Sequence, residues 1–301
     1  MGQLQEVARF LFAAGGAMHP EGKGMHLLYT QRSILTLKYW TGVVFGDQEL
    51  ITASIRTDST ASYLITSVLR LIFCISASSY IRALSFDEDE EEWVDREIPS
   101  LQVHPRGHLA ATAGTDGQFG VFFQDPSCRL IHLDHAWRTT PLPSHAAPGS
   151  PISVLRTGNA VRVFYISEDR HLHQVSRHSD GRWSDERVSK CVFPDIPKRI
   201  VAGQRTYDRS TLEVYMLTED NTMRLALQDG KMYDLGKVDC NGDLWARDTA
   251  VCCREVPLPM GKPERQNCTQ KPKRAKLISL PTFSIKRRFT MNGTNAAACY
   301  V

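Results

Sequence analysis

Apolar residues recur along this chain in runs of four to eight, alternating with polar neighbours and bounded by Gly, Pro, Asp, Asn and Ser. A period of two with such punctuation predicts short β-strands. Helical periodicity appears only over residues 4–14, and weakly. Many short strands without helices leave a sandwich, a barrel or a propeller, and internal repetition decides among them.

The repetition is present. Val161-Arg162-Val163-Phe164-Tyr165-Ile166, a polar turn, Leu172-His173-Gln174-Val175 and then Asp180-Gly181-Arg182-Trp183 make one unit. Leu212-Glu213-Val214-Tyr215-Met216-Leu217 through Met223-Arg224-Leu225-Ala226 to Asp229-Gly230 and Tyr233 makes another. The same frame fits residues 119–137, ending in Trp137, and 69–93, ending in Trp93; a weaker copy runs from Met25 to Trp40. One frame position, held by His26, Arg70, Gly120, Arg162 and Glu213, recurs at intervals of 44, 50, 42 and 51 residues. Small, apolar strands precede the later units at 51–53, 109–112, 151–154 and 200–203, with Val7-Ala8 as the first candidate. A unit of about 45 residues with three or four strands is the size of a propeller blade. Small residues suit inner strands crowded around a central axis. Hairpins of any sandwich share some of this pattern, but five in-phase copies favour a ring.

Composition and charge refine the picture. The 301 residues are 42% hydrophobic and carry a net charge of +3. Ten Lys or Arg against Glu255 and Glu264 fall within 254–288, so the body is mildly acidic and the tail basic. The fold class is therefore all-β, a β-propeller of five to six blades over residues 1–250. Residues 251–301 form a basic, Pro-containing tail, expected to be disordered or a remnant of a sixth blade. No apolar run reaches the ~18 residues of a membrane helix, and residues 1–16 make a poor secretory signal. The expected location is cytoplasmic or non-classically secreted, or nuclear through the basic run 271–276. Aromatic interleaving in that tail is sparse, which argues against specific nucleic-acid binding. The eight cysteines have no zinc spacing, and His171 and His173 lack a third ligand, so no metal or cofactor is expected. The acidic run 87–92 reads as a solvated loop.

These residues resemble the fungal fucose-specific lectins, six-bladed propellers whose blades carry an Arg, a Glu about twelve residues on, and a Gly-x-Trp. The likeness covers roughly residues 20–236 and is best from Gly149-Ser150-Pro151-Ile152-Ser153 through Arg162 to Gly181-Arg182-Trp183. The resemblance implies that an Arg and a Glu bind sugar hydroxyls and that aromatics pack on the sugar's apolar face, which suits guanidinium and indole chemistry.

Position by position the chain departs from that pattern. Arg162 is followed at the acid place by Gln174, Arg70 by Ala83, Gly120 by His132, Glu213 by Leu225, and His26 by Thr36 or Leu37. The set of Arg162, Gln174 and Trp183 is the nearest to complete. The candidate carbohydrate-binding residues are these three with Arg70, Trp93, His132, Trp137 and Tyr233; each aromatic is equally a candidate blade-packing residue. No catalytic residues are expected, because no nucleophile elbow, zinc-protease helix or phosphate loop occurs. The reading is a non-catalytic binder of fucosylated or other glycans, with oligomers needed for avidity. The alternatives are a propeller scaffold for protein partners, its sugar sites lost, and a glycosidase-like enzyme.

Overall fold

The computed structural model describes residues 2–246 except 67, 115, 179 and 205–211. The expectations for 251–301 lie outside the described residues. Helix α1 (Gly2–Phe12) leads into five antiparallel sheets. The first holds β1 (Gly15–Met18), β2 (Met25–Gln31), β3 (Ile34–Trp40) and β4 (Phe45–Ala53). The second holds β5 (Ser62–Ile65), β6 (Arg70–Ile75), β7 (Ile81–Asp87) and β8 (Glu92–Arg96). The third is β9 (Leu109–Ala113), β10 (Phe119–Gln124), β11 (Leu130–Asp134) and β12 (Thr139–Pro141). The fourth is β13 (Ile152–Thr157), β14 (Ala160–Ile166), β15 (His171–Arg177) and β16 (Trp183–Val192). The fifth adds a strand: β17 (Arg199–Gln204), β18 (Leu212–Leu217), β19 (Thr222–Leu227), β20 (Met232–Val238) and β21 (Leu244–Ala246).

Each sheet is a meander whose first strand lies innermost, and β1, β5, β9, β13 and β17 touch in succession, giving a five-bladed propeller ring. Small side chains permit that approach. A Cβ on Gly15 would sit 1.8 Å from the Ala61 carbonyl oxygen of the next blade. The inner strands are also tied crosswise. Ala61 N donates to Ala14 O at 2.9 Å, Leu109 N to Thr60 Oγ1 at 2.6 Å and Ala202 N to Ser153 Oγ at 3.0 Å.

Two strand assignments are corrected. Val7-Ala8 is helical, and the first inner strand is β1; residues 51–53 end the outer strand β4, and the inner strand of the second blade is β5. The helix has its own logic. Leu4, Val7, Ala8 and Leu11 follow the i, i+3, i+4, i+7 spacing of one face. That face packs on Val201, Leu217, Met223 and Val238 of the fifth blade, while Phe10 and Ala13 meet Met25, Leu27 and Trp40 of the first. Helix α1 thus fills the seam where the fifth blade returns to the first.

Candidate functional site

Alternation along each second strand shares its side chains between two seams. In β14, Val161, Val163 and Tyr165 pack toward the third blade with Phe122 and Leu130. Phe164 and Ile166 pack toward the fifth with Ile200, Leu212 and Val214. Arg162 belongs to the second face. Gln174 lies opposite Phe164, and Glu186 opposite Gln174, so all three project to the seam between the fourth and fifth blades. Diagonal neighbours of this kind are within reach of long side chains.

The polar bookkeeping there is uneven. Gln174 is buried, and its Nε2 donates to Glu186 Oε1. The Arg162 guanidinium makes no hydrogen bond or ion pair with any described residue, and neither does Gln174 Oε1. Ser176, directly opposite Arg162, has a buried hydroxyl without a partner. The seam therefore offers an unpaired guanidinium on the same face as a glutamine held by a carboxylate. Trp183 does not join them. It is on the opposite face of the blade, 6.0 Å from Phe122 and 5.5 Å from His132 between ring centroids. The expected set of Arg162, Gln174 and Trp183 is thus divided between two seams. On the fifth blade the residue facing Arg162's seam is Met232, not Tyr233. Tyr233 pairs with Leu225, itself opposite Tyr215, which packs beside α1.

The seam between the third and fourth blades is self-filled. Gly120 leaves room at the arginine place, and His132 takes it: a Cβ on Gly120 would meet His132 Nε2 at 2.8 Å. The imidazole stacks on Phe122 at 4.8 Å and 15°. Burial, reinforced by the charge of Arg177, pulls its pKa down to about 4. It is a neutral packing group at ordinary pH.

The second blade corrects another expectation. Its turn bond, Ser76 N to Tyr80 O, matches Ser167 N to His171 O in the fourth blade. Five residues before each turn stand Leu71 and Arg162, so Arg70 is one position out of phase. It turns to the first blade, away from Ala83, which is packed in the next seam with Phe73 and Val121. Arg70 Nε donates to Tyr63 OH at 3.3 Å, Nη1 pairs with Glu88 at 3.2 Å, and the guanidinium lies 3.7 Å over Phe86. Trp93 is beside it and donates Nε1 to Glu49 Oε1 at 2.7 Å. His26, at the arginine place of the first blade, stacks with His19 and tilts against Tyr39. Burial pulls its pKa down to about 4 as well. Between the second and third blades, Leu71 and Ala83 leave no polar pair, and Trp137 packs on Phe73 and Phe119.

Sequence reading missed Glu186 and Glu49. Both stand on outer strands, opposite Gln174 and Leu37, the place where an acid was sought. Their signal was the acid one strand further on, which a frame of two strands does not examine. His171 and His173 are spent locally, on Asp169 at 2.9 Å and Asp185 at 3.1 Å.

Antiparallel sheets of four or five strands, joined in a ring by their inner strands, define a β-propeller. The model of the fungal fucose-specific lectin family matches residues 25–244, and the chain belongs to that family. Solved structures agree on the fold. AofleA from Arthrobotrys oligospora superposes with a TM-score of 0.58 at 13% identity, covering 77% of this chain and 73% of that one. A variant of the Aleuria aurantia lectin in complex with α-methyl-L-fucoside gives 0.58 at 12%, covering 70% and 72%. The BP39L lectin from Burkholderia pseudomallei gives 0.57 at 14%, covering 70% and 64%. The Aleuria lectin is described as six-bladed; here five blades and a helix are described. No curated protein matches the chain.

Proposed function

We propose that this protein binds glycans without chemical turnover, chiefly at the seam between the fourth and fifth blades. The observation that carries the reading is the unpaired Arg162 guanidinium on the same blade face as the Gln174–Glu186 pair. Vicinal sugar hydroxyls need a donor fork and an acceptor side by side, and these residues supply both. Family membership and lectin neighbours support the same role, and fucose is the sugar to test first. The missing indole in this seam means that stacking contributes little, so affinity for a single sugar is weak and avidity depends on assembly.

Calorimetry with α-methyl-L-fucoside and a fucosylated glycan array test this. Binding by the full chain is expected, and Arg162→Ala should weaken it at least tenfold, about 1.4 kcal/mol. A second reading, a scaffold for protein partners, draws on the seams already closed by His132 and by Leu71 with Ala83. A clean array from a stably folded protein favours that scaffold. Turnover of a fluorogenic glycoside would overturn both.

A further inference from the structure

The acid place of the fourth blade holds an amide, yet a carboxylate touches it. Gln174 Nε2 is committed to Glu186, reached straight across from β15 to β16. An amide has one donor end and one acceptor end. With the donor end held, the carbonyl oxygen is the end left over, and no described residue bonds to it. A glutamine without that partner is free to turn its NH2 toward the ligand, beside Arg162, which already supplies only donors. Two donors side by side leave a hydroxyl's proton without an acceptor. Glu186 removes that ambiguity.

Resting on the lectin reading above, we propose that Glu186 is the positioning residue of this pocket. It locks Gln174 so that the amide oxygen takes the acceptor role of a carboxylate, and the pocket's negative charge lies one strand further out. The ligand class that follows is a neutral sugar with adjacent hydroxyls, one accepting from Arg162 and its neighbour donating to Gln174. Glu186 is exposed, so substitutions there are compatible with folding.

The test uses the full chain, α-methyl-L-fucoside and side-chain amide NMR of Gln174. In the native protein the Gln174 NH2 should exchange slowly with solvent, with its hydrogen-bonded proton shifted downfield of a free side-chain amide. Glu186→Ala should collapse that signature and weaken binding about tenfold, equivalent to ~1.4 kcal/mol. Glu186→Gln, which still accepts from the amide, should retain binding to within about threefold. Gln174→Glu alone places two carboxylates together, raising the pKa of one; binding should fall at neutral pH and recover on acidification. The exchanged pair, Gln174→Glu with Glu186→Gln, should bind like the native protein at neutral pH. The proposal is overturned if Glu186→Ala binds normally, or if Gln174→Glu alone binds at least as tightly at pH 7. If the NMR signature is present and responds to Glu186→Ala while no protein form binds any sugar, the lectin reading fails, and the ligand role of Glu186 with it. Binding that survives Glu186→Ala but is lost in Arg162→Ala leaves the lectin reading intact and overturns this inference alone.

Discussion

Gly120 and His132 show how one pair of residues removes a pocket. The glycine gives up the side chain that would enter the seam, and the imidazole lies flat against Phe122 in the vacated space. Gly120→Ala drives a methyl to within 2.8 Å of a ring that Phe122 and Trp183 hold in place. Overpacking of this kind costs ~1–3 kcal/mol. Urea denaturation should show that loss in Gly120→Ala. Combining it with His132→Ala should recover much of it, because each change relieves what the other crowds. Strict additivity would mean that the two residues do not share the space. The same scale sets the limit of what was legible in the sequence. The phase of Arg162 on its strand was legible because its turn lies at a regular distance. Arg70 was misplaced because the unbroken apolar run of five that follows it, Leu-Ile-Phe-Cys-Ile, hides its phase: only the turn, not the run, says which residues face which seam. A slip of one residue exchanges the two faces of a strand. Glu186 was illegible for a different reason: it stands on the outer strand β16, directly opposite Gln174, and a frame of two strands stops short of it.

At the scale of elements, strands from β5 onward follow the sequence pattern closely, while the first blade and its surroundings do not. Outer strand β4 is mostly exposed and carries little alternation, so its buried end at Ile51 resembled a separate inner strand. Helix α1 was visible as periodicity, but its role depends on tertiary partners that no local pattern announces. Arg9 is buried, ion-paired to Asp243 of the fifth blade, and its guanidinium lies 3.5 Å over the Trp40 ring of the first. Gln5 adds bonds to Asp243 Oδ1 at 2.6 Å and from Leu244 N at 3.1 Å. One residue therefore clasps both sides of the seam. Trp40, expected in the outer turn with the other tryptophans, ends β3 for this reason. Arg9 is buried but Asp243 is 41% exposed, so solvent screens the ion pair and its loss costs ~1 kcal/mol; the cation–π contact adds ~1 kcal/mol. Arg9→Ala should lower the thermal midpoint by several degrees, with Arg9→Lys intermediate because it retains charge without the planar stack. An unchanged midpoint in Arg9→Ala would show that the apolar face of α1 holds the seam without the clasp.

Over the whole molecule, a ring of sheets gains stability only if blades distant in sequence are held at one axis, and Arg199 does this directly. It starts β17, yet its Nη2 donates to Asp58 O at 3.0 Å and Ser59 O at 3.4 Å ahead of the second blade. Its Nη1 meets His108 Nδ1 at 3.1 Å ahead of the third. An arginine only donates, so His108 must accept through Nδ1 and carry its proton on Nε2. Burial, then the charges of Arg199 and Arg56, push the His108 pKa well below its ordinary value. Burial also lowers Arg199 itself, to about 10, and no carboxylate among the described residues pairs with it. Backbone carbonyls supply its acceptors instead. The sign of the pH effect follows. Above ~6.5 the imidazole is neutral in the folded and unfolded chain alike. As pH falls below that value the unfolded chain takes up the proton first, so stability declines toward acid. Arg199→Ala should cost about 3 kcal/mol in urea at pH 7, because it strands acceptors on two other blades. The decline toward acid should persist in that variant, since burial, the largest cause of the His108 shift, remains. A loss below about 0.5 kcal/mol would mean that the blades are held by their seams alone and that the Arg199 contacts contribute nothing.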